Sequence, residues 1–84
     1  MRVNVELYGG LRSPFGKSRF DIELKIGNLI IDLYKELQYT DKESEHLAIA
    51  VNGEIVNKNY MLKDGDKIII FMPMSGGDGA YTFD

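Results

Sequence analysis

The sequence predicts an α+β fold, a mixed sheet packed on one main helix, from three observations. Two N-terminal stretches alternate polar and apolar residues, as half-buried strands do. At Gly27-Asn28 the period lengthens, and Ile30, Leu33 and Leu37 recur at helical spacing. Near the C-terminus, Lys67-Ile68-Ile69-Ile70-Phe71-Met72 is the most continuously apolar run of the chain. Such a run reads as a central strand buried on both faces, or on one face plus a partner.

Taken in order, Arg2-Val3-Asn4-Val5-Glu6-Leu7 places Val3, Val5 and Leu7 on one face of a first strand. Tyr8 to Lys17 carries Gly9, Gly10, Gly16 and Pro14 and reads as a loop. Arg19-Phe20-Asp21-Ile22-Glu23-Leu24 alternates again, with Phe20, Ile22 and Leu24 inward, so the first two strands are expected to form a hairpin. Asn28 is the expected N-cap of the helix, because its side-chain oxygen can accept a free amide of the first turn. Leu29 widens the apolar stripe, and Asp32, Lys35 and Glu36 are expected to face outward. Gln38 to Glu45 is polar and reads as a loop or short turn. Leu47 to Val51 is a third strand. Asn52-Gly53 signals a tight turn that would bring Glu54-Ile55-Val56 back beside it. Asp64-Gly65-Asp66 is a further turn, and Pro73 ends the last strand because it cannot donate to a ladder. A strand hairpin, a helix and a mixed sheet in this order make the β-grasp (ubiquitin-like) arrangement. Residues 1–74 are expected to form that domain, and residues 75–84 a flexible C-terminal tail.

Composition narrows the function. At 84 residues, the chain buries only about 60% of the surface its unfolded form exposes, which leaves no room for a catalytic cleft beside the core. The apolar content of 44% and charged content of 27% are those of a globular protein. A net charge of −3 argues against nucleic acid or an anionic membrane as the main partner. No apolar run approaches a membrane span, the start lacks the apolar stretch of a signal peptide, and a cytoplasmic location is expected. With no cysteine in the chain, disulfides, thiolate metal sites and thiol nucleophiles on it are excluded.

Phe71-Met72-Pro73-Met74-Ser75-Gly76-Gly77 is the most informative stretch. A glycine pair after a small strand-rich domain is one way a chain presents a reactive carboxylate to another enzyme. Here Asp78-Gly79-Ala80-Tyr81-Thr82-Phe83-Asp84 follows, so the Gly77 carbonyl is held in a peptide bond. Together with Ala50-Val51-Asn52-Gly53 and Leu62-Lys63-Asp64-Gly65-Asp66-Lys67-Ile68, this stretch resembles the MoaD family, the sulfur-carrying small subunit of molybdopterin synthase. More distantly the chain is similar to ThiS, the thiamine sulfur carrier, and to ubiquitin. The resemblance covers Met1 to Gly77. Its departure is the tail, because family members usually stop at the second glycine.

That resemblance implies a sulfur carrier for molybdopterin or tungstopterin synthesis, with no catalytic residue, metal or bound cofactor of its own. An adenylating enzyme of the ubiquitin-activating type would use ATP to convert the Gly77 carboxylate to an acyl-adenylate. A sulfur donor would then displace AMP to leave a thiocarboxylate, which the molybdopterin synthase large subunit receives. Ser75, Gly76 and Gly77 would thread into the partner, since glycine passes a narrow channel and leaves its carbonyl open to attack. The segment from Met74 to Gly77 spans roughly 13 Å when extended. Phe71, Met72 and Met74 would supply apolar partner contacts. Gly77-Asp78 would be cut by a processing metalloprotease. Two other readings stay open: a ubiquitin-like modifier conjugated through Gly77, and a β-grasp adaptor that is never activated.

Other signals are set aside. Gly10 to Ser18 resembles a phosphate-binding loop, but five residues separate Gly10 from Gly16 where four are required, and a strand follows instead of a helix. His46 stands alone, without a second histidine or a cysteine to form a metal set. Asp41, Glu43 and Glu45 read as a solvated acidic loop. Tyr81 and Phe83 leave three readings open: docking on a surface, recognition by a processing protease, or no role at all.

Overall fold

Strand β1 (Arg2–Leu7) and strand β2 (Arg19–Glu23) pair antiparallel, with Val3 opposite Ile22 and Val5 opposite Phe20. In this computed structural model, which describes residues 1–73, they form one flank of a five-stranded sheet of order β2-β1-β5-β3-β4. Strand β3 (Ala48–Val51) and strand β4 (Glu54–Val56) form the other flank. Strand β5 (Lys67–Phe71) fills the centre, parallel to β1 and antiparallel to β3. Helix α1 (Ile30–Glu36) crosses one face, and a single turn, α2 (Asp41–Ser44), follows it. This is the β-grasp arrangement expected from the order of elements. The tail expected over residues 75–84, and Met74 at the end of the expected domain, lie outside the described residues.

The core lies between α1 and the sheet. Val3, Val5 and Leu7 of β1, Ile68 and Ile70 of β5, and Ile49 and Val51 of β3 meet Ile30, Leu33, Tyr34 and Leu37. Because side chains alternate along a strand, Ile69 and Phe71 turn to the opposite face, where no helix covers them and both are only partly buried. The centre strand is therefore buried on one face and half open on the other. On the edge strand β2, Phe20 and Ile22 are also only partly buried, and Leu24, just beyond it, is buried.

The helix begins one residue later than expected. Leu29 is extended, and its N–H donates to the Asp32 carboxylate at 2.7 Å. Asn28 instead accepts the Lys25 N–H at 3.0 Å, closing the preceding turn. The free amides of Ile30 and Ile31 donate to the carbonyls of Tyr60 and Lys58, so the connection before β5 caps the helix. At the other end Gln38 adopts φ 66°, and the Tyr39 and Gln38 N–H groups donate back to Tyr34 and Lys35, closing a Schellman motif. The polar stretch expected as a loop or short turn contains the single turn α2, which Thr40 caps by accepting the Glu43 N–H while its own N–H donates to Glu43.

Two turns lock β5 in register. Asn52 (φ 53°) and Gly53 (φ 89°) make the tight β3–β4 turn in the left-handed region expected of an Asn-Gly pair. Asn52 then joins the Asp64-Gly65-Asp66 turn. Its amide donates to the buried Asp66 carboxylate at 2.9 Å, and its Oδ1 accepts the Lys67 N–H. The other Asp66 oxygen accepts the Lys63 N–H at 2.8 Å. Asp66→Ala would leave both donors without their partner, at a cost of about 1–3 kcal/mol. Urea unfolding should show a lower midpoint at unchanged slope; an unchanged midpoint would mean that water replaces both bonds.

Candidate functional site

The chain leaves the sheet at the C-terminal end of β5, where Phe71 is half-buried and Met72 is 55% exposed. Met72 and Pro73 are the last described residues. Of the expected site residues, Met74, Ser75, Gly76, Gly77 and Asp78 lie outside the described part, so the site is built from the surfaces around its root. Two such surfaces flank it.

The first is the open face of the sheet. Strand register aligns Arg19, Glu6, Ile69, Ala50 and Ile55 in one row across all five strands, with Phe71 and Ala48 paired in the next row. The row is polar at the β2 end, where Arg19 donates to Glu6 at 2.7 Å. That hydrogen bond, with the Arg19 charge beside it, holds the Glu6 carboxyl below its ordinary pKa. It is apolar at the β4 end, where Ile55 is 68% exposed. An apolar strip continuous with Phe71, bordered by a fixed ion pair, has the make-up of a protein-docking surface with an apolar centre and a polar rim. The expected contact residue Phe71 belongs to it; Ile55 and Ile69 were not anticipated. Strand register would have revealed them, but register is a property of pairing that a single strand's pattern does not carry.

The second surface is a groove of about 540 Å³ beside Met72 and Pro73. Leu11, Tyr39 and Leu47 supply its other apolar walls, and Arg12, Glu43 and His46 stand at its edge. A brace absent from the sequence reading holds it open. The Arg12 guanidinium donates twice to Glu43, at 3.0 and 3.1 Å, and once to the Gln38 carbonyl at 2.7 Å. The Tyr39 hydroxyl donates to the Arg12 carbonyl at 2.7 Å, and the guanidinium lies 5.3 Å from the Tyr39 ring centre. Glu43, expected in a solvated acidic loop, instead ties the β1–β2 loop to α2. His46 lies exposed before β3, and among the described residues no three His, Asp or Glu side chains come together as a metal site. No helix of the described residues is long and apolar enough to cross a membrane.

Residues 5–77 match the model of the ThiS family. The chain belongs to the ThiS family. No curated protein matches the sequence. Among solved structures, this ThiS-family chain is similar to a putative molybdopterin converting factor, subunit 1, from Pyrococcus furiosus. The two are 28% identical with a TM-score of 0.70, over 87% of this chain and 98% of that one. It is also similar to a chain in the complex of subunits 1 and 2 of molybdopterin-converting factor from Helicobacter pylori. There the identity is 32% and the TM-score 0.62, over 92% of this chain and 100% of that one. SAMP1 from Haloferax volcanii, at 19% identity and a TM-score of 0.69 over 92% and 100% of the two chains, shares the fold. Family and relatives together support a sulfur carrier.

The brace has a signature in pH. Hydrogen bonds from Arg12, then from the Thr40 backbone, draw the Glu43 carboxyl down from its ordinary 4.5 to about 2. A carboxyl lowered on folding stabilises the fold above its unfolded pKa and loses that contribution as pH falls through the folded one. The difference in Tm between this ThiS-family protein and Glu43→Gln should therefore be largest above about pH 4.5 and shrink towards zero near pH 2. A difference that stays constant across that window would show that the pair contributes nothing through charge.

Proposed function

We propose that this chain is a sulfur carrier activated at Gly77 and released from a precursor by removal of Asp78–Asp84. The observation that carries the reading is where the family match stops: it ends at residue 77, the second glycine, and leaves the last seven residues unmatched. Cleavage of the Gly77–Asp78 peptide bond by water frees a carboxylate. That carboxylate attacks the α-phosphate of ATP on an adenylating partner, and pyrophosphate leaves. Hydrosulfide then attacks the acyl carbon, its proton is lost to solvent, AMP leaves with the former carboxylate oxygen, and a thiocarboxylate remains on Gly77. The expected recipient is a molybdopterin synthase large subunit acting in molybdopterin or tungstopterin synthesis. Support for that partner comes from the Helicobacter pylori relative, whose structure is a complex of subunits 1 and 2 of molybdopterin-converting factor.

The alternative, a ubiquitin-like modifier, uses the same fold, glycine terminus and adenylation. Isopeptide-linked adducts of Gly77 in cells would favour it. An intact mass retaining Asp84 in cells would favour an adaptor that is never activated.

The test is to incubate the full chain and a chain ending at Gly77 with the adenylating enzyme, ATP and sulfide, and to follow thiocarboxylate by intact mass. Only the shorter chain should react. In the full chain the nearest free main-chain carboxylate lies at least seven residues on, a displacement of up to roughly 24 Å, and Asp78 brings negative charge towards the phosphates of ATP. Equal reaction on uncut protein would overturn the precursor reading. In the shorter chain, Gly77→Val should fold normally and fail to react, because a β-branched side chain crowds the carbonyl.

Docking gives a separate prediction. Phe71 faces away from the core side of the sheet, so Phe71→Ala should weaken binding to the adenylating enzyme about tenfold or more while leaving Tm nearly unchanged. Met72→Ala and Met74→Ala should each weaken it less. Normal binding for all three variants would remove this surface from the interface.

A further inference from the structure

The groove beside Pro73 shares Met72 with the proposed partner contacts, but its other walls are not used by any step of the proposed activation, which needs the threaded glycines and a docked sheet. It is nevertheless built: Leu11, Tyr39, Leu47 and Met72 give it apolar walls, and the Arg12–Glu43 brace fixes its rim. Its volume of about 540 Å³ lies within the range of sites that hold a compact organic group, roughly 300–1,000 Å³. Such a groove needs an occupant.

We propose that its occupant is the chain's own segment Ala80–Phe83, seated by Tyr81 and Phe83 while the extension is still attached. The groove begins at Pro73, where the described chain ends, and Tyr81 and Phe83 lie eight and ten residues further on. Reach is therefore no obstacle; the chain has only to reverse direction. Gly76-Gly77-Asp78-Gly79 supplies the residues that reversals demand, glycine for left-handed backbone and Asp-Gly for a tight turn. In an extended segment, residues two apart share a face, so Tyr81 and Phe83 turn to the groove together and Thr82 turns away. A tether this short holds the segment at an effective concentration in about the millimolar range, so a weak contact suffices.

The consequence rests on the sulfur-carrier reading. Cutting after Gly77 releases Tyr81 and Phe83 as a peptide, which loses the tether and leaves the groove.

The docking itself is tested on the isolated protein, without any activating enzyme, so its failure leaves the sulfur-carrier reading standing and the reverse also holds. The chain contains no cysteine, so Thr82→Cys carries a single nitroxide label on the side that faces away from the groove. The label should broaden the backbone amide signals of Leu11, Tyr39, His46 and Leu47 selectively, to the same extent at every protein concentration. In the same labelled chain, Tyr81→Ala with Phe83→Ala should restore those signals, with the rest of the spectrum unmoved because the domain is untouched. Broadening no stronger at the groove than at Ile22 and Ile55 would overturn the proposal. So would broadening that grows with concentration, which would mean that a second copy is the occupant.

Discussion

Strand β5 has to serve two surfaces with one five-residue segment. It is hydrogen-bonded on both sides, parallel to β1 and antiparallel to β3, so neither flank of the sheet joins the other without it. Its side chains alternate. Ile68 and Ile70 are fully buried beneath α1, while Ile69 and Phe71 stand on the open face. A slip of one residue would exchange the two sets and expose the core pair. The register that protects the core is thus the same register that assembles the apolar strip at the chain's exit. This explains why so many hydrogen bonds, most of them between segments far apart in sequence, converge on the strand's start: Asp66 bonded to Lys63 and Asn52, Asn52 bonded to Lys67, and Asp64 accepting the Arg2 N–H of β1.

Much of this was legible in the sequence, because it depended on local periodicity. The alternation of Val3, Val5 and Leu7, the helical spacing of Ile30, Leu33 and Leu37, and the Asn52-Gly53 turn all report directly on what backbone geometry allows. What was not legible depended on partners distant in the chain. Asn28 carries a good N-cap side chain, yet that oxygen is engaged by Lys25, and the helix starts where Asp32 can reach the Leu29 N–H. The helix is terminated by the left-handed backbone of Gln38, a residue that gives no hint of it; burial of Tyr34 and Tyr39 on either side holds it there. Thr40-Asp41-Lys42-Glu43 does carry a capping-box pattern, which marks where the single turn α2 starts within the stretch expected as a loop or short turn.

The same division applies to the candidate site. Phe71 and Met72 could be read from the sequence as apolar residues at the end of a strand. Ile55 could not, because its place beside Ala50 and Ile69 follows from pairing across three strands. Nor could the Arg12–Glu43 brace, which joins residues 31 positions apart. Burial pushes the Tyr34 phenol up to about 12, so it stays neutral in the core beside Tyr39, whose own hydroxyl reaches out to the Arg12 carbonyl. One tyrosine seals the core and the next holds the groove. The two rings meet edge to face at 6.2 Å between centroids, so the groove wall is an extension of the core and shares its rigidity.

Activation at Gly77, as proposed, sets a distance rule for any partner. Whatever docks on the open face must hold its reactive site within the roughly 13 Å that Met74 to Gly77 can span. A longer tether would relax that rule and a shorter one would forbid reaction, so specificity lies as much in the spacing between strand and diglycine as in any side chain. The strip through Ile69, Ala50 and Ile55 sits on the sheet's open face, whereas the groove is walled by Tyr39 of the core side and by the α2 brace. The proposed docking strip and the proposed tail groove therefore meet at Met72 and otherwise lie on different parts of one small domain.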